Sequence, residues 1–178
     1  AELYYLMEQQ ALRKFEASDL SWVKHYSNLA ATYSSRDYQK ALNQNIKALF
    51  YAKRIPENYD MVVTSNNNIA NLYYRQRNYR KALVYYRMAL QMSKYEKYLV
   101  NESPAFLHEN VGSCYGELGE MDSAKYHFSK ALELNSADFG ESSKEAAESL
   151  FLLSSSVLEV EDSRKMMRKA ITTLETHF

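Results

Sequence analysis

Across 178 residues the chain carries 22 Lys and Arg against 22 Asp and Glu, 46% apolar residues, four glycines and two prolines. Turns consume Gly and Pro, so this composition excludes an all-β fold, and the abundant Ala, Leu, Lys, Glu, Arg and Met argue for an all-α protein. Balanced charge gives no strong pull on nucleic acid or anionic lipid, the lone Cys114 excludes an internal disulfide, and no apolar run of about 18 residues offers a membrane span.

The chain begins at Ala1 with no signal-peptide pattern behind it, which reads as a mature chain or an excised piece of a longer one. Residues 1–17, AELYYLMEQQALRKFEA, form one predicted helix, with Tyr4, Leu6, Ala11 and Phe15 among its apolar residues. It reads as the second helix of a truncated repeat copy.

Three related segments come next. NLAATYSSRDYQKALNQNIKAL runs from Asn28 to Leu49, NIANLYYRQRNYRKALVYYRMAL from Asn68 to Leu90, and NVGSCYGELGEMDSAKYHFSKAL from Asn110 to Leu132. Each opens with Asn, an aliphatic residue and a small one. Each then reaches a small residue flanked by charge (Ala41, Ala82, Ala124) and closes on Ala-Leu. The small residues recur at intervals of 41 and 42, and the first segment is one residue shorter in its turn. Such a period predicts two amphipathic helices per copy, over residues 20–56, 61–100 and 104–138. Small side chains belong where paired helices cross, because bulk there would push the axes beyond about 8–10 Å. Asp37, Asn78 and Glu120–Asp122 stand where N-caps of the second helices are needed. Tyr33, Tyr38, Tyr73, Tyr79, Tyr86 and Tyr115 fill the space between neighbouring pairs. Pro56 and Pro104 fall between copies.

Residues 143–178 read as a final, capping pair. Leu150, Phe151, Leu153 and Leu158 lie on its first helix and Met167, Ala170, Ile171 and Leu174 on its second, without the alanine that the copies would place near Ser163. The domain is a single stack. Its charge is uneven: residues 1–97 hold 15 basic and 8 acidic side chains, residues 98–178 hold 7 and 14. The basic end favours an acidic partner.

Catalysis needs a constellation that the sequence does not offer. None of His25, His108, His127 and His177 pairs with another at i+3 or i+4, there is no Gly-rich phosphate loop or nucleophile elbow, and nothing calls for a metal or cofactor. Cys114 reads as a buried structural thiol. Arg75, Arg77, Arg80, Lys81 and Arg87 are interleaved with tyrosines, a mixture that can bind single strands, but those tyrosines already have a packing role, so nucleic acid is not the expected partner.

The recurring pattern resembles the tetratricopeptide repeat family. Leu29-Ala30, Ile69-Ala70, Val111-Gly112, the aromatic before each turn, Ala41, Ala82 and Ala124, and Ala48, Ala89 and Ala131 carry the likeness over about residues 20–138. The period exceeds the family's usual 34 residues or so, as in the long-repeat branch of kinesin light chains and bacterial peptide-sensing regulators. The resemblance implies a right-handed α-solenoid that binds a protein or extended peptide without catalysis. Two further possibilities are a sensor region serving the effector domain of a longer signalling protein, and a self-associating scaffold.

First helices line the concave face of such a stack. Asn28, Asn68 and Asn110 share one place on them, and a side-chain amide can bridge the N–H and C=O of a bound backbone. With helices about 10 Å apart and an extended peptide rising about 3.3 Å per residue, one asparagine meets about every third residue. Lys24, Thr64 and Phe106 lie four residues earlier, Ala31, Asn71 and Ser113 three later, and Arg75 and Glu117 seven later. The expected ligand-binding set is therefore Lys24, Asn28, Asn68, Asn71, Arg75, Asn110 and Ser113. The family's carboxylate clamp needs more basic residues, and Phe106 and Glu109 stand where a basic pair would be expected.

Overall fold

The computed structural model describes residues 2–95, 102–157 and 160–176, and among these the regular structure is wholly helical. The helices are α1 (Glu2–Lys14), α2 (Asp19–Tyr33), α3 (Tyr38–Ala52), α4 (Tyr59–Arg75), α5 (Tyr79–Met92), α6 (Pro104–Glu117), α7 (Met121–Phe139), α8 (Lys144–Ser155) and α9 (Val160–Glu175), with a 3-10 turn at Ser93–Tyr95. The three sequence copies become the pairs α2/α3, α4/α5 and α6/α7. The chain divides into two compact units, Ala1–Asn101 and Glu102–Phe178.

Polar caps start the helices as the sequence leads one to expect. Asp37 accepts from the Lys40 N–H at 3.0 Å and Asn78 from the Lys81 N–H at 3.3 Å. Ser18, Asn58, Ser103 and Ser143 cap α2, α4, α6 and α8 in the same manner, and Pro104 opens α6 at the first turn, where its missing N–H costs nothing. Glu120 holds the cap position of α7 but its side chain makes no cap bond; the longer Glu side chain is poorly suited to bend back onto the first turn, unlike Asp or Asn.

The turn inside each pair is closed by one recurring carbonyl. Tyr33 O accepts from the Asp37 N–H, Tyr73 O from the Asn78 N–H and Tyr115 O from the Glu120 N–H, at 2.8–2.9 Å. In the second and third copies the bond spans one residue more, and that extra residue is left-handed: Arg77 at φ 56° and Gly119 at φ 77°. The first copy closes without such a residue, which is why its segment is one residue shorter.

In the first unit, Ala41, Ala48, Ala52, Ala82 and Ala89 have no exposure, as helix crossings require. Ile69 and Leu72 of α4 pack on Ala41 and Leu42 of α3, with Tyr33, Tyr38, Tyr73 and Tyr85 around them. A second cluster joins Trp22, Tyr26 and Ala48, where the Trp22, Tyr26 and Tyr51 rings stack. Tyr79 meets Tyr74 edge-on, and Tyr86 is buried. Helix α1 forms over Glu2–Lys14, as the sequence predicts, but leaves its larger apolar side chains uncovered. Tyr4, Leu6 and Phe15 are 65%, 53% and 75% exposed, and Ala11 is exposed too. The helix faces α2 with Tyr5, Glu8, Gln9 and Leu12 instead, an i, i+3, i+4, i+7 stripe that is largely polar.

In the second unit, Ala124, Phe128 and Leu153 form the core with Tyr115 and Leu132. Gly112 lets α6 meet the Phe128 ring: a Cβ there would lie 2.8 Å from two ring carbons. Ala170 is fully buried, whereas Phe151 and Ile171 of the final pair are 43% exposed, and Ser163 donates to the Ser154 carbonyl at 2.8 Å. Leu158 and His177 lie outside the described residues. No described helix is long and apolar enough to cross a membrane.

Candidate functional site: a groove between α2 and α4

The two first helices of the first unit, α2 and α4, leave a groove of about 230 Å³ between them. Small residues of α2 form one wall: Ser27, Ala30, Ala31 and Ser34. Asn68, Asn71, Leu72 and Arg75 of α4 form the other, and Asn45 of α3 closes the floor. The small residues leave the room; the amides and the guanidinium supply the chemistry.

Each polar group has a defined state. Asn71 Oδ1 accepts from the buried Tyr86 hydroxyl, so the two Nδ2 protons are what Asn71 presents. Asn68 is half-buried. Arg75 is exposed in the last turn of α4, where the helix dipole favours a cation. Asn45 is buried and donates to the Ala41 carbonyl at 3.2 Å.

The structure brings Asn68, Asn71 and Arg75 of the expected set together in this groove. Lys24 and Asn28 are exposed on α2 and do not line it. Asn110 and Ser113 are half-buried on α6 in the second unit, and Ser113 donates to the Glu109 carbonyl at 2.8 Å. Asn45 lies outside the expected set. Its signal is in the repeat: four residues after Ala41, Ala82 and Ala124 stand Asn45, Tyr86 and Phe128, and only the first copy puts an amide there.

Other asparagines carry the internal ties. Asn66 is buried and donates to the Val62 carbonyl at 2.8 Å, and Asn67 is buried beside it. In the second unit Asn135 donates to Ser149 at 2.8 Å, and Ser149 donates to the Glu109 carboxylate at 2.6 Å. That network explains an acidic residue where a basic one was expected. Burial raises the Glu109 pKa above the ordinary carboxyl value, the Ser149 bond partly opposes the rise, and the Glu148 charge adds to it.

Cys114, His108 and His127 are held within the second unit. Cys114 is fully buried, and burial, with a smaller push from Glu117, drives its pKa up to about 12, so the thiol stays protonated and unreactive at neutral pH. His108 and His127, distant in sequence, meet across α6 and α7 with Nδ1 atoms 2.9 Å apart, and Tyr115 stacks on His127. A spacing rule within one helix cannot see this pair. Among the described residues no three potential metal ligands converge.

Two tetratricopeptide repeat models match the sequence, at residues 62–102 and 107–138. No curated protein sequence matches. Among solved structures, BtubC (BKLC) from P. vanneervenii is 21% identical, with a TM-score of 0.78 over 98% of this chain and 70% of its own. Apo RapI is 19% identical, with a TM-score of 0.83 over 97% of this chain, which spans only 62% of RapI. The nearly identical TPR-like repeats of a Podosopora anserina kinesin light chain are 11% identical, with a TM-score of 0.78 over 99% of this chain and 88% of theirs. These likenesses concern the fold. Two tetratricopeptide repeats thus lie on its sequence, at residues 62–102 and 107–138, within a chain of helix pairs whose fold matches TPR-like repeats over nearly its whole length.

Proposed function

We propose that this chain is a peptide-binding module, and that the groove between α2 and α4 holds an extended, acidic segment of a partner protein. The observation that carries the reading is the meeting of Asn68, Asn71 and Arg75 over a wall of small α2 residues. Asn71 presents amide protons to a backbone carbonyl, Asn68 can both donate and accept, and Arg75 suits a carboxylate bidentately. Lys24 and Asn28 on α2 add charge and an amide at the exposed surface, and Asn110 and Ser113 offer similar groups on α6. YrrB, a TPR protein with an unusual peptide-binding site, is 15% identical with a TM-score of 0.52, and it lends the peptide reading a fold-level parallel.

Each hydrogen bond contributes about 0.5–1.5 kcal/mol net, so single substitutions act weakly and a combined one strongly. The test is fluorescence anisotropy with a labelled library of acidic octapeptides. The parent should bind a subset, more weakly as salt rises. The Asn68→Ala, Asn71→Ala, Arg75→Ala variant, with helicity checked by circular dichroism, should bind about tenfold more weakly or worse. Equal binding by a folded variant would remove the groove from the account, as would a library in which nothing binds.

A further inference from the structure

In the second unit His108 of α6 meets His127 of α7, with Nδ1 atoms 2.9 Å apart and ring centroids 5.0 Å apart. In the neutral pair one ring donates from Nδ1 and the other accepts, so a single proton lies between two nitrogens that are both lone-pair donors by nature. Neutral imidazole is the commonest metal ligand. The place held by that proton therefore suits a cation that takes nitrogen ligands.

The spacing is selective. Metal–nitrogen bonds of about 2.0–2.1 Å set two nitrogens about 3.3–3.4 Å apart on a tetrahedral ion, and about 2.8–3.0 Å apart where the bonds meet at a right angle. The 2.9 Å between the two Nδ1 atoms is the spacing of neighbouring corners of a square. Square-planar and tetragonal sites with nitrogen and oxygen ligands belong to Cu(II) and Ni(II), and Cu(II) is bound the more tightly of the two.

The surroundings hold the pair in place. Gly112, one turn after His108, is where α6 approaches the ring of Phe128, the residue after His127. That close crossing fixes the distance between the backbones that carry the two imidazoles. Tyr115 stacks on His127 with centroids 5.6 Å apart, and Tyr126 meets it edge-on at 5.1 Å. Ligands positioned before the ion arrives lose little freedom on binding it. Both histidines are half-buried, so solvent reaches them. Among the described residues no group of three potential ligands forms, and water fills the remaining corners.

The geometry points to a copper site: His108 and His127 bind one Cu(II) ion through their Nδ1 atoms, in neighbouring positions of a tetragonal site completed by water. The ring that carries its proton on Nδ1 gives it to solvent and takes one at Nε2, so both rings stay neutral. Each turns slightly about its Cβ–Cγ bond to aim its lone pair at the ion. The bound ion ties α6 to α7. This site shares no residue with the peptide groove.

The probe is Cu(II), titrated against a weak competing chelator into the 178-residue chain. One equivalent should bind. At substoichiometric Cu(II), paramagnetic broadening should reach the NMR signals of the His108 and His127 imidazoles before those of His25 and His177. Low-temperature electron paramagnetic resonance should show a tetragonal spectrum with two nitrogen ligands. His108→Gln and His127→Gln should each weaken binding about tenfold or more, and saturating Cu(II) should raise the melting temperature of the parent but not of these variants. The proposal is overturned if folded variants bind as tightly as the parent, if other imidazoles broaden first, or if the spectrum shows fewer than two nitrogens. Broadening is read on the parent alone, so it decides the matter even where a variant loses its helicity.

Discussion

Two glycines of one helix allow the packing of the second unit to be weighed. A methyl group at Gly112 would lie 2.8 Å from Cδ1 and Cε1 of Phe128 and 3.2 Å from Cζ, whereas at Gly116 it would meet nothing within 4 Å. Either Gly→Ala change improves helix propensity, by up to about 1 kcal/mol. Only at Gly112 does the gain meet overpacking, which costs about 1–3 kcal/mol. Phe128 is 4% exposed and held by Ala124 and Leu153, so the ring has little room to retreat. Gly116→Ala should therefore stabilise slightly, and Gly112→Ala should fall below it by about 1–3 kcal/mol. For a chain of this size that separates the melting temperatures by about 2–12 °C. Thermal melts by circular dichroism supply the comparison. Adding Phe128→Leu should shrink the Gly112→Ala penalty, a coupling that a double-mutant cycle isolates. Equal melting temperatures for the two alanine variants would mean that α6 does not cross α7 at Gly112.

Glu120→Ser should supply the cap bond that α7 lacks and raise stability by about 0.5–1 kcal/mol in urea unfolding, while Asp37→Ala should lower it by about 1 kcal/mol; no change in either would remove side-chain capping from the account of these turns. Glu109 yields a pH dependence. Burial holds its folded-state pKa above the ordinary 4.5, so the native state keeps that proton longer than the unfolded chain does. The associated stability is fully present below the ordinary value and is lost as pH rises through the raised one. Glu109→Gln removes that loss and can still accept from Ser149. Its stability relative to the parent should grow as pH rises past the ordinary 4.5. A pH-independent difference would refute this.

Much of the fold is legible in the sequence because the repeat is a packing rule written in residue size. Ala41, Ala82 and Ala124 can be placed at crossings from spacing alone, and all three have no exposure. The turns are legible because Asp and Asn cap helices by local geometry. Glu120 misleads because capping depends on side-chain length as well as polarity. The packing face of α1 is not legible in the sequence: composition does not say which side a neighbour covers, and Tyr4 and Phe15 face solvent while Glu8 faces His25. The site is half legible. Asn68, Asn71 and Arg75 share one helix face, so spacing places them together, whereas Asn45 enters the groove from another helix. His108 and His127 escape a spacing rule for the same reason.

Among the described residues the most extensively packed helix pairs are consecutive in sequence: α2 on α3, α3 on α4 and α4 on α5 in the first unit, α6 on α7, α7 on α8 and α8 on α9 in the second. No long loop has to close before these contacts form. Contact order is therefore low, and topologies of that kind fold in microseconds to milliseconds. Within each unit structure can begin at any well-formed pair and spread outward. The pair α4/α5 offers the readiest start, since the Tyr86–Asn71 bond ties its two capped helices together. Folding order within the first unit is then expected to run outward from α4/α5, and α1, whose apolar anchor on α2 is Leu12, should join late and leave early.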